Sequence, residues 1–330
     1  MNDEQRKYVQ NLFTAALDRA ASETELEIWL QRLAKTSPFE VLEAIMRSKE
    51  FQNKRRVPVA FQAGHYYSPI VDPSTVKNYV LEERRSLRNG IPGVPIDGDT
   101  MLTFWDRNLS FMASTPDNPT KSDRRYYHGD TGYPLGDAVF LRGVINELKP
   151  KRIIEIGSGF STACMLDAIE ELNLDCSITC VEPYPDRLLG LLRSPDEVTL
   201  LQKPVQDVEL SLFAELEAGD ILFVDSTHVI KTGSDVHFEL FSILPVLAPG
   251  VWIHFHDVPY PFEYPDSWIH DKNYSWNEAY GVRAFLMYNN DFQVSVWNTL
   301  FATVYRNHIR NTFPHFPKNP GSGVWLKRLS

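Results

Sequence analysis

The sequence predicts a doubly wound, mostly parallel seven-stranded α/β sheet preceded by a small all-α module. Three observations carry that reading. From residue 135 onward, apolar runs of strand length alternate with stretches of helical periodicity, the signature of strands joined by covering helices. The first of those runs ends in a glycine turn, Ile154-Glu-Ile-Gly-Ser-Gly159, before a new helical pattern begins. Residues 8–51, by contrast, show helical spacing alone.

In that N-terminal stretch the apolar positions are Tyr8, Val9, Leu12, Phe13 and Ala16, then Leu26, Trp29, Leu30 and Leu33, then Leu42, Ile45 and Met46. Three short helices follow from this spacing. Ser22 with Glu25 and Ser37 with Glu40 have the form of capping boxes, in which hydroxyl and carboxylate reciprocally satisfy backbone donors, and Pro38 suits a first helical position. The polar, basic Asn53-Lys-Arg-Arg-Val-Pro58 reads as a break. The expected organisation is therefore a helical module over 1–53, a connecting and cleft-covering segment over 54–134, and a sheet domain over 135–330. Within the connecting segment a helix is expected from Ser74 to Leu87, with irregular chain from Asn89 to Asp99.

The sheet domain opens with a helix from Leu135 to Leu148. Strands are then expected at Arg152–Ile156, Ser177–Val181, Val198–Leu201, Ile221–Val224 and Val251–Phe255. Helices should follow the first four of these, at Phe160–Leu172, Asp186–Arg193, Leu210–Leu216 and Val236–Leu247, the last of them with Ser234 or Asp235 as its cap. The tail adds a helix from Glu278 to Tyr288, a strand from Phe292 to Trp297, a helix through Arg306, and a last strand from Gly323 to Lys327, expected antiparallel at the sheet edge.

Composition narrows the function. Of 330 residues, 43% are hydrophobic and 23% charged, which excludes wholesale disorder. A formal charge of -10 disfavours nucleic acid and anionic membrane, because the summed field repels polyanions. The cysteines Cys164, Cys176 and Cys180 have no stapling pattern, and the charged start leads directly into amphipathic chain; both point to a reducing, cytoplasmic setting.

Gly157 and Gly159 lie between strand and helix, where a ligand approaches the backbone and the helix N-terminus. Glu182 ends the second strand about 20 residues further on, placed to accept both hydroxyls of a ribose. A parallel-sheet protein also uses Gly-Ser-Gly simply to turn, so the pairing of the two features matters more than the loop.

Glu155 ahead of the turn resembles the acidic-x-Gly-x-Gly motif of class I S-adenosylmethionine-dependent methyltransferases, whereas Thr162 is a poor third glycine for a nicotinamide dinucleotide. The likeness continues through Val181-Glu-Pro-Tyr-Pro185, Gly219-Asp-Ile-Leu-Phe-Val-Asp-Ser-Thr-His228, Lys231-Thr-Gly-Ser-Asp235 and His254-Phe-His-Asp257, and is similar to the Methyltransf_24 branch over roughly residues 60–330. That resemblance implies S-adenosyl-L-methionine as cofactor. Glu155, Gly157, Ser158 and Gly159 would surround its methionine end, Glu182 its ribose, and Gln206 with Asp207 its adenine. Ser161 replaces the usual third glycine. The N-terminal Leu12-Phe-Thr-Ala-Ala-Leu-Asp-Arg19, Trp29 and Ser48-Lys-Glu-Phe51 resemble a DUF4214 domain, related to phycobilisome-linker repeats, over about a seventh of the chain, with packing or protein docking as its implied role.

In a doubly wound sheet, ligands sit beyond the C-terminal strand ends, so Asp225, His256 and Asp257 should converge there. Catechol-type O-methyltransferases place a metal-binding Asp after strand four and an Asp-Asn pair after strand five, positions matched here by Asp225, His256 and Asp257. Such mixed ligation suits Mg, Mn or Zn. Capping of the next turn, or contact with the cofactor's amino group, stays open for Asp225. His228 stands where that family has its basic lysine, and an imidazole near neutral pH can take the proton of an acceptor hydroxyl. His254 reads as structural.

His65 and Tyr67 of Gly64-His-Tyr-Tyr-Ser-Pro69, together with Tyr260 of the aromatic loop Pro259–Pro265, are candidate acceptor contacts, with Trp268 and Trp276 as further aromatic cover; a packed lid is the alternative. The resulting expectation is methyl transfer to the hydroxyl of a small-molecule or glycan acceptor. A non-catalytic adenosylmethionine-binding scaffold and, more distantly, an NAD-dependent oxidoreductase are the alternatives.

Overall fold

The computed structural model describes residues 3–51, 60–87, 90–129, 131–194 and 196–330. Two compact units divide the chain, Met1–Ser68 and Pro69–Ser330. The expected break at 53–58 lies outside the described residues.

In the first unit, α1 (Asp3–Leu17), α2 (Glu23–Leu33) and α3 (Pro38–Met46) bury Val9, Phe13, Leu17, Leu26, Leu30, Val41 and Ile45 against one another. Both capping boxes form, and Pro38 takes the first turn of α3. Arg19 bridges the termini of the bundle, donating to Glu25 and Glu50. Trp29 meets Phe13 edge to face at 6.3 Å.

The second unit begins with α4 (Pro73–Ser86), capped by Asp72, and α5 (Gly98–Ala113), capped by Asp97. Where irregular chain was expected up to Asp99, helix α5 has already begun at Gly98, and it is a full core element: Met101, Phe104, Trp105 and Met112 are buried. Its Trp105 stacks on Phe301 at 5.3 Å, and Gly143 of α6 (Leu135–Leu148) has room for no side chain because Met112 fills the space.

Seven strands follow the helical order of the sequence: β1 (Arg152–Ile156), β2 (Ser177–Val181), β3 (Thr199–Leu201), β4 (Ile221–Val224), β5 (Trp252–Phe255), β6 (Phe292–Trp297) and β7 (Val324–Arg328). Their order in the sheet is β3-β2-β1-β4-β5-β7-β6. All pairings from β3 to β5 are parallel, and the last two strands join antiparallel. Strands β4 and β5 are buried on both faces, as a parallel sheet covered by helices requires. The direction of winding reverses between β1 and β4, so a crevice opens at their C-terminal ends.

Covering elements are α7 (Phe160–Leu172), α8 (Asp186–Leu189), α9 (Leu210–Ala214), α10 (Asp235–Phe238) and α11 (Glu278–Leu286). The helix expected over 236–247 is broken: α10 passes into a π-helical turn at Glu239–Ile243 and a 3-10 turn at Leu244–Val246, where Pro245 cannot donate. After β6 come α12 (Asn298–Val304) and α13 (Arg306–Thr312). The last strand is not at the edge as expected. β7 lies between β5 and β6, because its Val324, Trp325 and Leu326 are apolar on successive positions and need cover on both faces.

A buried guanidinium ties the chain before α6 to the sheet domain. Arg125, with a side chain only 7% exposed, donates to Asp167 at 2.9 Å, Glu170 at 2.6 Å and Asp196 at 2.5 Å. Removing one member of a buried ion cluster leaves the others desolvated without compensation, at a cost of about 3–5 kcal/mol. Arg125→Ala should lose that much in urea unfolding, whereas Glu170→Ala, whose side chain is exposed, should lose less than about 1 kcal/mol.

Candidate functional site

The turn between β1 and α7 is built by Glu155. This carboxyl is fully buried; its Oε1 accepts from the Ser161 hydroxyl at 2.5 Å and its Oε2 from the Thr162 hydroxyl, while Thr162 Oγ1 accepts the Gly159 N–H at 3.0 Å. Burial pushes the Glu155 pKa up to about 8, with the two hydroxyls pulling the other way. Glu155 thus fastens the strand to the first turn of the helix from beneath, and Ser161, standing where a third glycine was expected, is one of its three partners, with Thr162 and the Cys180 thiol. Gly157 has φ +77°, and a Cβ there would sit 1.9 Å from the Asp225 carbonyl oxygen. Its side chain is absent because β1 and β4 close against each other at this point.

Above the turn lies a cavity of about 270 Å³ walled by Gly157, Ser158, Gly159, Glu182, Arg187, Asp225, His256 and Asp257, with Thr131 to Tyr133 on the opposite side. Glu182 faces it with both oxygens already oriented, Oε2 accepting from the Ser158 N–H at 3.2 Å and Oε1 from the Tyr184 N–H at 2.8 Å. Four sequence candidates stand apart. Glu155 lies under the loop; Gln206 gives its amide to the Gly233 carbonyl at 2.8 Å; Asp207 is exposed beside it; and Tyr260 is held elsewhere, its ring edge-on to Trp297 at 5.2 Å and its N–H on Thr299. None of these lines the cavity. His65 and Tyr67 belong to the first unit, in an exposed turn where their rings cluster with Phe61 and Tyr66.

At the ends of β4 and β5 the expected groups do converge. His256 is 3% exposed, with Nδ1 at 3.5 Å from Asp225 and 3.4 Å from Asp257, and Nε2 at 3.3 Å from Asp137. Burial opposes its charge, but those three carboxylates outweigh burial and raise its pKa well above the usual value. Burial likewise pushes Asp257 up; His256, His228 and the Ser322 hydroxyl at 2.5 Å more than reverse this, leaving it at about 2. His254 is stacked on Phe223 at 4.1 Å and its pKa is driven down by burial, consistent with a packing role.

His228 was expected as a base, and its partner was not foreseen. Its Nδ1 is 2.8 Å from Glu278 Oε2, and its Nε2 points towards Asp225 at 3.6 Å and Asp257 at 3.8 Å. The backbone holds it there in a left-handed conformation, φ 61°, with its carbonyl accepting from the N–H groups of Asn277 and Glu278. Burial would lower its pKa; the Glu278 hydrogen bond and the aspartates raise it above the ordinary 6.5. Nothing in the spacing announced Glu278, a charged residue in the first turn of a helix that ordinarily faces water; Asp137 escaped notice for the same reason.

The three residues expected as a metal set, Asp225, His256 and Asp257, do meet, with His256 Nδ1 at 3.5 Å from Asp225 and 3.4 Å from Asp257, and the second nitrogen of His256 faces Asp137 at 3.3 Å. Among the described residues no three His, Cys, Asp or Glu side chains are arranged to hold a metal ion.

Comparison with known proteins gives the following. Residues 154–258 match the family described as Methyltransferase domain, and residues 1–55 the Domain of unknown function DUF4214. An uncharacterized protein of Archaeoglobus fulgidus is 31% identical over 177 residues, 51% of this chain and 78% of that relative. Among solved structures, SAH-bound Podospora anserina methyltransferase PaMTH1 aligns at a TM-score of 0.41 and 18% identity, over 77% of this chain and 97% of its own. The plantazolicin methyltransferase BpumL, in complex with a triazolic desmethylPZN analog and SAH, aligns at 0.40 and 11% identity, over 78% and 100%.

Gly157→Ala should be severely destabilising, because the new Cβ collides with the Asp225 carbonyl in a backbone conformation that L side chains rarely adopt. A thermal melt should show a midpoint many degrees below that of the unaltered chain, whereas Ser158→Ala, at a position without such a collision, should melt within a few degrees of it.

Proposed function

We propose that this chain, which belongs to the methyltransferase-domain family and carries a DUF4214 module at its N-terminal end, is an S-adenosylmethionine-dependent methyltransferase acting on an acceptor hydroxyl. The observation that supports this reading best is the cavity at the β1–β4 crevice, which has a glycine turn and helix N-terminus on one side, an oriented carboxylate at the end of β2, and His256, Asp225 and Asp257 on the other, with His228 behind the two aspartates. Its donor set suits the cofactor. Glu182 has lone pairs left for two ribose hydroxyls, and Asp225 and Asp257 favour a sulfonium and an ammonium group over neutral competitors.

Adenosylmethionine, when bound, supplies an electrophilic methyl group on sulfur. The chain's own residues handle the proton. As the acceptor oxygen forms its new bond to carbon and the carbon–sulfur bond breaks with its electron pair staying on sulfur, the hydroxyl proton passes to Nε2 of His228. Glu278 accepts a hydrogen bond from Nδ1–H, which fixes the tautomer that leaves Nε2 free and stabilises the imidazolium that results. His256, charged between three carboxylates, keeps the site's anions compensated without a metal.

Titration calorimetry should detect association with adenosylmethionine and with adenosylhomocysteine; absence of both heats would overturn the proposal. Glu182→Ala should weaken that binding at least tenfold. His228→Ala should leave it intact and lower turnover by about 10²–10⁴-fold, and turnover of the unaltered enzyme should survive EDTA.

The pH dependence has a definite sign. A base works only when unprotonated, so kcat/KM should rise with pH through an apparent pKa above the 6.5 of a free imidazole. Glu278→Gln removes the anion that most raises that pKa, and the rising limb should move to lower pH while its plateau falls.

A further inference from the structure

A second cavity in the same unit, larger than the first at about 380 Å³, has no part in the chemistry described so far. Its size lies within the ~300–1,000 Å³ range usual for small-molecule sites. The walls are aromatic and mutually braced. Tyr274 stacks on Trp276 at 4.3 Å with the planes 21° apart, and Trp268 meets Trp276 edge to face at 5.2 Å. Flat apolar walls of this kind accept a ring laid against them.

Three charged groups line this space, and two of them, Glu83 and Arg283, pair with each other at 2.8 Å, which leaves Glu263. Glu263 is 5% exposed and lines the cavity; its Oε1 accepts the Tyr264 N–H at 2.9 Å and the Tyr280 hydroxyl at 2.8 Å, and no described residue donates to its Oε2. The carboxyl is buried, and its second oxygen is left to accept from a donor in the cavity. Burial accordingly raises its pKa. Position links the cavity to the transfer site: Trp276 lines it, and the same ring lies 4.4 Å from the imidazole of His228.

We infer that this cavity binds the methyl acceptor as a hydroxylated six-membered ring, one face laid against the aromatic wall and one hydroxyl donating to Glu263. The assignment rests on the transferase reading above for the fate of the ring, and on the cavity alone for its binding. A phenol and a pyranose share this chemistry, a flat apolar face bearing hydroxyl donors at its edge. They differ in electron density over the ring and in the number of donors, which an experiment resolves directly.

The test is a tryptophan-fluorescence titration of the full chain, saturated with adenosylhomocysteine, using catechol and methyl β-D-glucopyranoside as separate probes. Saturable quenching by one of them is expected, with the better probe naming the ring type. Glu263→Gln should raise its Kd about tenfold, and Trp268→Ala should weaken it further, while calorimetry shows adenosylhomocysteine binding unchanged in both variants. If neither probe saturates, or if Glu263→Gln binds the ring as tightly as the unaltered chain, the inference is wrong. Ring binding by a protein that takes up no adenosylhomocysteine would keep the ring site and overturn the transferase reading instead.

Discussion

Carboxylates resist being gathered out of water, and at the C-terminal ends of β4 and β5 this chain gathers Asp137, Asp225, Asp257 and Glu278 around two imidazoles. Among the described residues no lysine or arginine pairs with any of the four. The carboxylates therefore raise the pKa values of His228 and His256 despite burial, while burial raises those of Asp137 and Glu278. Their positions depend on the rest of the fold. β4 and β5 deliver the aspartates, α6 supplies Asp137, and α11 brings Glu278 up to His228 with its first turn. A sheet with the same order but without α11 so placed would leave the second imidazole without an orienting partner.

Division of labour between the two cavities follows from the loop after β5. Asp257 closes the strand and faces the polar cavity, and within a few residues Phe262 and Glu263 face the aromatic one. The chemistry of transfer and the selection of a ring are thus carried by neighbouring stretches of one connection. Substitutions in the aromatic walls can change what is recognised without touching the ion cluster, so long as Trp276 and Asn277, which contact His228, are kept.

Legibility in the sequence was uneven, for physical reasons. The parallel strands and the glycine turn were readable because both are local: a continuous apolar run needs burial on two faces, and Gly157 needs a conformation open to glycine. Glu182, His228, His256 and Asp257 were readable because strand ends in a wound sheet converge by topology. Helix α5 was missed since Gly98, Asp99 and Thr100 at its start read as loop, and the helix is established by Trp105 and Phe104 packing on α6 and α12, contacts remote in sequence. Glu155 carried the right motif for a different duty, fastening the loop rather than lining the cavity. Glu278, Asp137 and Glu263 gave no signal, because an acidic residue in a first helical turn or a loop is commonplace, and only the assembled structure reveals that these three are out of water.

The internal position of β7 has a consequence for how the protein comes into being. Ser322 reaches Asp257 with its hydroxyl and Asp137 with its N–H, and Gly323 lies against His254, so residues from the far end of the chain complete a site whose other members emerge from the ribosome up to about 190 codons earlier. Without that strand the flank of β5 would have no partner and the acidic cluster would lack two of its hydrogen bonds, so the last stretch of sheet is part of the site as well as of the scaffold.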